Sequence, residues 1–271
     1  MIRILREVLL FLWRDLRIAR TYRIPFVLGA VEALFGTAML FFTSRFVDSP
    51  ELRSTLPQGG NYFTFALVGF VFFDYLSAAL DTFDRSLEEA RDSGTLEHLL
   101  VTQTSLPVML AGSAIYPFLA TTVRIGVYLA WGAVLFHFPL QAANWFAVVV
   151  VLLASLLAFA GLGILSASYL LLFKRGNPGK WLLLGISSVV GGMLFPVDIL
   201  PPWLQALARI NPITYTLDAM RAALLGGASL PDLWRPISIL LLFAAVLLPV
   251  STAVFAAVLR RTKNTGTLMH R

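Results

Sequence analysis

GGMLFPVDILPPWLQALARINPITYTLDAMRAALLGG, residues 191–227, sits between two apolar runs at 181–195 and 236–259. Pro196, Pro201, Pro202 and Pro212 interrupt it, and Asp198, Arg209, Asp218 and Arg221 add charge. Such backbone cannot lie bare in lipid, where each unsatisfied amide costs on the order of several kcal/mol. The stretch must therefore rest on the outer face of a membrane protein or line a cavity within one.

The rest of the chain makes lipid the solvent. Of its 271 residues 58% are apolar and 13% charged, and the mean hydropathy is +0.79, values that suit an integral membrane protein rather than a soluble core. A crossing takes roughly 20 largely apolar residues. Six segments meet or approach that length: 25–46, 62–81, 108–136, 145–173, 181–196 and 236–259. The fifth is short and runs into the broken stretch. The expected fold is all-α and polytopic, one transmembrane domain over residues 1–271. No secretory signal is expected, because the charged lead continues to Arg23 and no small-residue cleavage site follows the first span. The chain has no cysteine, which excludes disulfides and thiolate metal sites.

Positive charge is retained on the cytoplasmic side of a membrane protein. With the N-terminus inside, fifteen of the 21 Lys and Arg fall on inner segments. Arg45, Arg53, Arg209, Arg221 and Arg235 fall outside, and Arg124 lies within the third span. This bias predicts six crossings with both termini cytoplasmic, and it places residues 196–235 outside. It also accounts for the pI near 10: the partner is a bilayer and not a nucleic acid.

Residues 1–24 read as a separate element. At 100° per residue Arg3, Arg6, Glu7, Arg14, Arg17 and Arg20 share one arc, with Ile4, Leu5, Val8, Phe11, Leu12, Leu16 and Ile18 opposite. A helix of this kind lies in the headgroup plane with its arginines on lipid phosphates. The alternative is a helix continuous with the first span, against which Pro25 disfavours helical backbone at Ile24. The connection at 82–107, TFDRSLEEARDSGTLEHLLVTQTSLP, is also more than a loop. Glu88, Glu89, Arg91 and Asp92 form a charged helix end, and Ser93 with Gly94 breaks it. A second short helix then carries Leu96, Leu99 and Leu100 on one side and Glu97 and His98 on the other. Such helices either dock into a groove on a soluble partner or pack on the protein's own inner face.

Two motifs carry a resemblance. Ser93-Gly94-Thr95-Leu96-Glu97-His98-Leu99-Leu100-Val101-Thr102 is similar to the sequence that follows the second span in permease subunits of type-2 ABC exporters. Phe195-Pro196-Val197-Asp198-Ile199-Leu200-Pro201-Pro202-Trp203-Leu204, followed by Asn211-Pro212-Ile213-Thr214-Tyr215 and Asp218-Ala219-Met220-Arg221, resembles that family's outer segment. The resemblance implies six membrane helices, an N-terminal interfacial helix, a cytoplasmic coupling helix and two short re-entrant outer helices at about 201–210 and 213–225. It implies a dimer of permeases bound to two ABC ATPase subunits, in the cytoplasmic membrane of a prokaryote. The substrate would be amphipathic: a drug, a lipid or a lipid-linked glycan. Coupling to the ATPase would fall to Glu88, Glu89, Arg91, Gly94, Thr95, Leu96, Glu97, Leu99 and Leu100. The outer gate would comprise Pro196, Pro201, Trp203, Pro212, Tyr215, Asp218 and Arg221. No G-x-x-x-x-G-K-[ST] occurs in the sequence, so ATP and Mg are expected on the partner, with no cofactor bound by this chain. His98, His137 and His270 stand far apart, and neither HExxH nor G-x-S-x-G is present. The chain is therefore expected to be a transport subunit and not an enzyme.

Ionisable residues within spans are expensive in hydrocarbon and point to function or to pairing. Asp74 lies 12 residues after Tyr62 and Arg124 lies 12 before Phe136, each about 18 Å deep at 1.5 Å per residue. Glu32, 14 residues before Phe46, is about 21 Å deep on the same count. A pair or triad can form there, either holding three helices in register or meeting a polar substrate head. An ion-coupled secondary transporter with Glu32, Asp74 and Arg124 as its relay is the alternative function, and it calls for inverted repeats between its halves. Asp218 and Arg221, three apart on one helical face, can pair locally or close against neighbouring helices. Small residues such as Ala154, Ala158, Gly161 and Gly185 read as packing contacts. Phe41, Phe42, Phe46, Tyr62, Phe63 and Phe65 read as an aromatic belt, although the same rings can stack on sugar or wrap an acyl chain.

Overall fold

The computed structural model describes residues 24–47, 61–92, 106–173 and 177–264, with Trp13, Arg17 and Leu56. These residues form eight α-helices and no strand. They are α1 Ile24–Val47, α2 Tyr62–Asp92, α3 Leu106–Phe136, α4 Trp145–Phe173, α5 Pro178–Val190, α6 Pro202–Arg209, α7 Pro212–Leu225 and α8 Trp234–Asn264. Five of them, α1, α2, α3, α4 and α8, are long and apolar enough to cross a membrane. The fifth expected span is different. With 13 residues, α5 is about 20 Å long, short of the roughly 30 Å hydrocarbon core. It stops where Gly192 takes φ +79, backbone that glycine adopts at no steric cost. By contrast α2, at 31 residues, is about 46 Å long and outruns the core.

The bundle has two unlike ends. At the charged end α2, α4 and α8 finish while α3 and α5 begin, and Phe83, Ala114, Ile164, Leu171 and Phe255 cluster there. The proline end carries α6 and α7. Between them α4 is the central helix, packed on α8, α2 and α7, and it owes that position to small residues. A Cβ on Gly161 would lie 2.6 Å from Leu247 Cβ, and one on Gly163 would lie 2.2 Å from the Ala79 carbonyl oxygen. Any side chain at either position would push α8 or α2 away.

The aromatic residues divide in a way that differs from the belt reading. Tyr62, Phe63 and Phe65 are buried. Phe41, Phe63 and Phe136 make one cluster, with centroids 4.6 to 5.9 Å apart. Phe42 and Phe46 do face outward, Phe46 being 92% exposed. The inner three are covered because α1, α3 and α7 close over the start of α2.

Two matching turns shape the proline end. His137 (φ 57) after α3 and Gly227 (φ 62) after α7 both take left-handed backbone. The next amide in each case folds back six residues, Phe138 N–H onto the Gly132 carbonyl and Ala228 N–H onto the Ala222 carbonyl. In the connection to α8 the Ser229 hydroxyl and amide both donate to Asp232. These bonds hold its carboxyl below the ordinary aspartate range.

Candidate functional site

The chain leaves α5 through Gly191 and Gly192 and reaches α7 by way of a single 3-10 turn, Val197–Ile199, and α6. Pro196 precedes that turn and Pro201 precedes α6. The Gln205 amide donates to the Asp198 and Leu200 carbonyls, bracing the turn against α6. Asn211 caps α7, its side chain accepting from Ile213 N–H and donating to Ser187 of α5, and Pro212 occupies the first helical position. A capped start with proline there is what a helix beginning inside protein needs, because its first amides have no other partners.

α7 penetrates the bundle. Near its start Thr216 donates to Ser155, which lies ten residues into α4, about 15 Å along that helix. Near its finish the Ala223 carbonyl accepts from Asn144 N–H, just ahead of α4. α7 therefore runs from the interior out to the proline end and buries most of its surface on α4, α2 and α8.

Arg221 holds this insertion in place. Its side chain is among the largest fully enclosed in the protein, the residue being 2% exposed. Its guanidinium lies 3.5 Å from the centroid of the Phe65 ring. Nε and Nη2 donate to the Phe65 carbonyl, and Nη2 also donates to the carbonyls of Gly192 (2.8 Å) and Met193 (3.1 Å). A buried cation is tolerated only with such partners. One side chain of α7 thus joins the start of α2 to the end of α5. Gly69 makes room for the joint: a Cβ there would fall 1.9 Å from the Met193 carbonyl oxygen. Of the two arrangements open to Asp218 and Arg221, the arginine takes the second, closing on neighbouring helices, while Asp218 stands exposed. Tyr215 donates to the Arg209 carbonyl and leans on Phe243, tying α7 to α6 and α8. Trp203 projects outward from α6.

At mid-depth Arg124 of α3 and Asp74 of α2 form an ion pair at 2.6 Å, with side-chain exposures of 41% and 27%. Arg124 Nε has no hydrogen-bond partner, so the carboxylate is what compensates this cation. Beside it Tyr75 donates to Thr122 at 2.7 Å. Glu32 is exposed on α1 and is not part of the pair.

A third polar joint, at the charged end, gave no signal in the sequence. Asp84 of α2 accepts from Ser166 of α4 through both carboxylate oxygens, each at 3.1 Å, and from Asn177 at 3.2 Å. Lys180 of α5 reaches Asp81 at 2.7 Å and Asp84 at 3.6 Å. Asn177 also caps α5, its Oδ1 accepting from Lys180 N–H. Asp84 stands 82 residues from Ser166 and 93 from Asn177, and the set matches no motif spacing.

Several sequence-derived positions lie outside the described residues. These are the interfacial stretch, apart from Trp13 and Arg17, and Gly94, Thr95, Leu96, Glu97, Leu99 and Leu100 of the coupling motif. Arg17 lies over the Trp13 ring, 3.6 Å from its centroid. Glu88 is exposed on the last turns of α2, which also contain Glu89 and Arg91.

Apolar crossing helices around an inserted, proline-started helix define a polytopic α-helical membrane protein. The model of the ABC-2 type transporter family matches residues 6–225, and the chain belongs to that family as a transport permease. It is similar to the "Probable multidrug ABC transporter permease YbhR" of Escherichia coli (strain K12), 27% identical over 173 residues, covering 63% of this chain and 46% of YbhR. The "Inner membrane transport permease YadH" of the same strain is 25% identical over 174 residues, 64% of this chain and 67% of YadH. The "Linearmycin resistance permease protein LnrN" of Bacillus subtilis (strain 168) is 27% identical over 158 residues, 58% of this chain and 40% of LnrN. The chain thus aligns with less than half the length of YbhR and of LnrN.

Proposed function

We propose that this chain is the membrane subunit of an ATP-driven exporter that moves an amphipathic substrate, a drug, lipid or lipid-linked glycan, out of the cytoplasm or its facing leaflet. Membership of the ABC-2 transporter family over residues 6–225 carries the reading. Relatives named for multidrug transport and linearmycin resistance favour amphipathic cargo. The charged end faces the cytoplasm with both termini, in agreement with the distribution of Lys and Arg, and the membrane is the inner membrane of a prokaryote. α5 together with residues 191–196 completes the sixth crossing, so that α6 and α7 enter from outside and return. Two copies work with two ATPase subunits, which bind ATP and Mg and meet the permease through residues 82–107. Closure of the ATPases drives the spans between inward- and outward-open arrangements.

The experiment is purification of the tagged chain from its native membrane, with an assay for bound ATPase. An ABC ATPase is expected to co-purify. Leu99→Asp, which places a charge among Leu96, Leu99 and Leu100 of the coupling motif, is expected to reduce it to background while membrane insertion is unchanged. Transport by the purified chain alone, driven by a proton or sodium gradient, would instead favour the ion-coupled reading through Glu32, Asp74 and Arg124.

A further inference from the structure

α2 and α5 are joined at both ends by polar contacts and by little between. At the proline end the joint is Arg221, which binds Phe65 of α2 and Gly192 and Met193 beyond α5. At the charged end it is the set Asp81, Asp84, Asn177 and Lys180. Between the two, Trp181, Leu182, Ile186 and Val189 of α5 face outward. α5 is thus a short strut held by polar contacts at its tips and, between them, by Leu183 and Leu184 against the core.

The charged-end joint stands where a displacement would have to be passed on. Asp81 lies 19 residues after Tyr62, about 29 Å along α2 and so at the edge of the hydrocarbon. Beyond it α2 continues to Asp92 and on to the connection assigned above to the ATPase. Asp84 is enclosed, with 5% of its side chain exposed; Ser166 and Asn177 donate to it and the Lys180 ammonium stands 3.6 Å away. Gly163 keeps α4 and α2 in backbone contact one turn away. These contacts connect the α2 end to Asn177 and Lys180, and α5 leads on to Gly192, Met193 and Arg221.

We propose that Asp84 and Lys180 are positioning residues for energy coupling: through them, movement of α2 at the charged end becomes movement of α5 and of the α6–α7 segment at the far end. The proposal rests on the ATP-driven reading. It assigns a role in transmission, beyond holding the fold together, to residues that touch neither ATP nor cargo.

The test uses a reporter that needs no knowledge of the cargo. The chain has no cysteine, so Ala206→Cys on the exposed side of α6 introduces a single thiol. In the assembled complex its reaction rate with a membrane-impermeant maleimide is measured with and without vanadate-trapped nucleotide, alongside ATP hydrolysis. Adding Lys180→Gln is expected to leave hydrolysis in place and reduce the nucleotide-dependent change in rate about tenfold, within the usual range of coupling between distant sites. Lys180→Arg, which keeps a cation facing both Asp81 and Asp84, is expected to retain the response. A full response in Lys180→Gln overturns the proposal while leaving the ATP-driven reading intact. Loss of hydrolysis and response in equal proportion, in Lys180→Gln and Lys180→Arg alike, overturns it in favour of a purely structural joint. No nucleotide response in Ala206→Cys alone, with hydrolysis intact, shows that the α6–α7 segment does not follow the ATPase and overturns this role for Lys180, whereas absence of an ATPase from the purified complex defeats the ATP-driven reading itself.

Discussion

Arg221→Met is expected to lower the stability of the purified protein by about 3 kcal/mol, a large share of the roughly 5–15 kcal/mol that holds a typical domain together. The Phe65 carbonyl keeps a helical amide as partner, but the Gly192 and Met193 carbonyls lie outside helix and lose their donor. Each orphaned buried acceptor costs about 1–3 kcal/mol, and the stacking of the guanidinium on Phe65 is worth about 1–2 kcal/mol more when desolvated. Relief of the cation's own desolvation offsets part of the sum. Arg221→Lys is expected to recover little, since an ammonium has no planar fork to reach carbonyls on two elements. Gly69→Ala attacks the same joint from the other side by pressing a methyl group into the Met193 carbonyl. Thermal unfolding in detergent reads all three. A melting temperature unchanged by Arg221→Met would show that the α2, α5 and α7 joint carries no weight.

The second large effect concerns the pair at mid-depth. Asp74→Asn leaves Arg124 without its counter-charge, and Nε already has no partner. Breaking a fully buried pair costs about 3–5 kcal/mol. At mid-depth of a spanning helix the 41% exposure of Arg124 is not exposure to water, so we expect a loss in that range here, with a similar loss for Arg124→Gln. The double variant is expected to regain most of it, because two neutral amides leave no stranded charge. Two stable single variants that have lost transport would assign the pair to cargo contact instead.

What the sequence made legible follows from what lipid enforces. Apolar runs long enough to cross had to be helices, and their limits agree with α1, α3, α4 and α8 to within a few residues. Counting residues from the ends of the second and third spans brought Asp74 and Arg124 to one depth, where they meet. The fifth run was harder to read: composition carries 181–196 as one apolar segment, whereas backbone geometry at Gly192 ends the helix at Val190. Tyr62, Phe63 and Phe65 show why aromatic composition misleads near a helix end. Whether a ring faces lipid or core depends on α7, and nothing in residues 62–65 announces an inserted helix 150 residues later. Arg221 was visible as a candidate, but its partners were not, since backbone carbonyls have no sequence signature. The joint of Asp81, Asp84, Ser166, Asn177 and Lys180 was missed for a related reason: each residue alone reads as an ordinary polar group near a span end.

The measurement that bears most directly on the whole account is the accessibility of Ala206→Cys in intact cells, with nucleotide free to turn over or trapped by vanadate on the partner ATPase. The thiol is expected to react with a membrane-impermeant reagent added from outside, at a rate that changes on trapping. Reaction only from the cytoplasmic side would contradict the topology, and a rate indifferent to nucleotide would contradict ATP-driven movement of the α6–α7 segment.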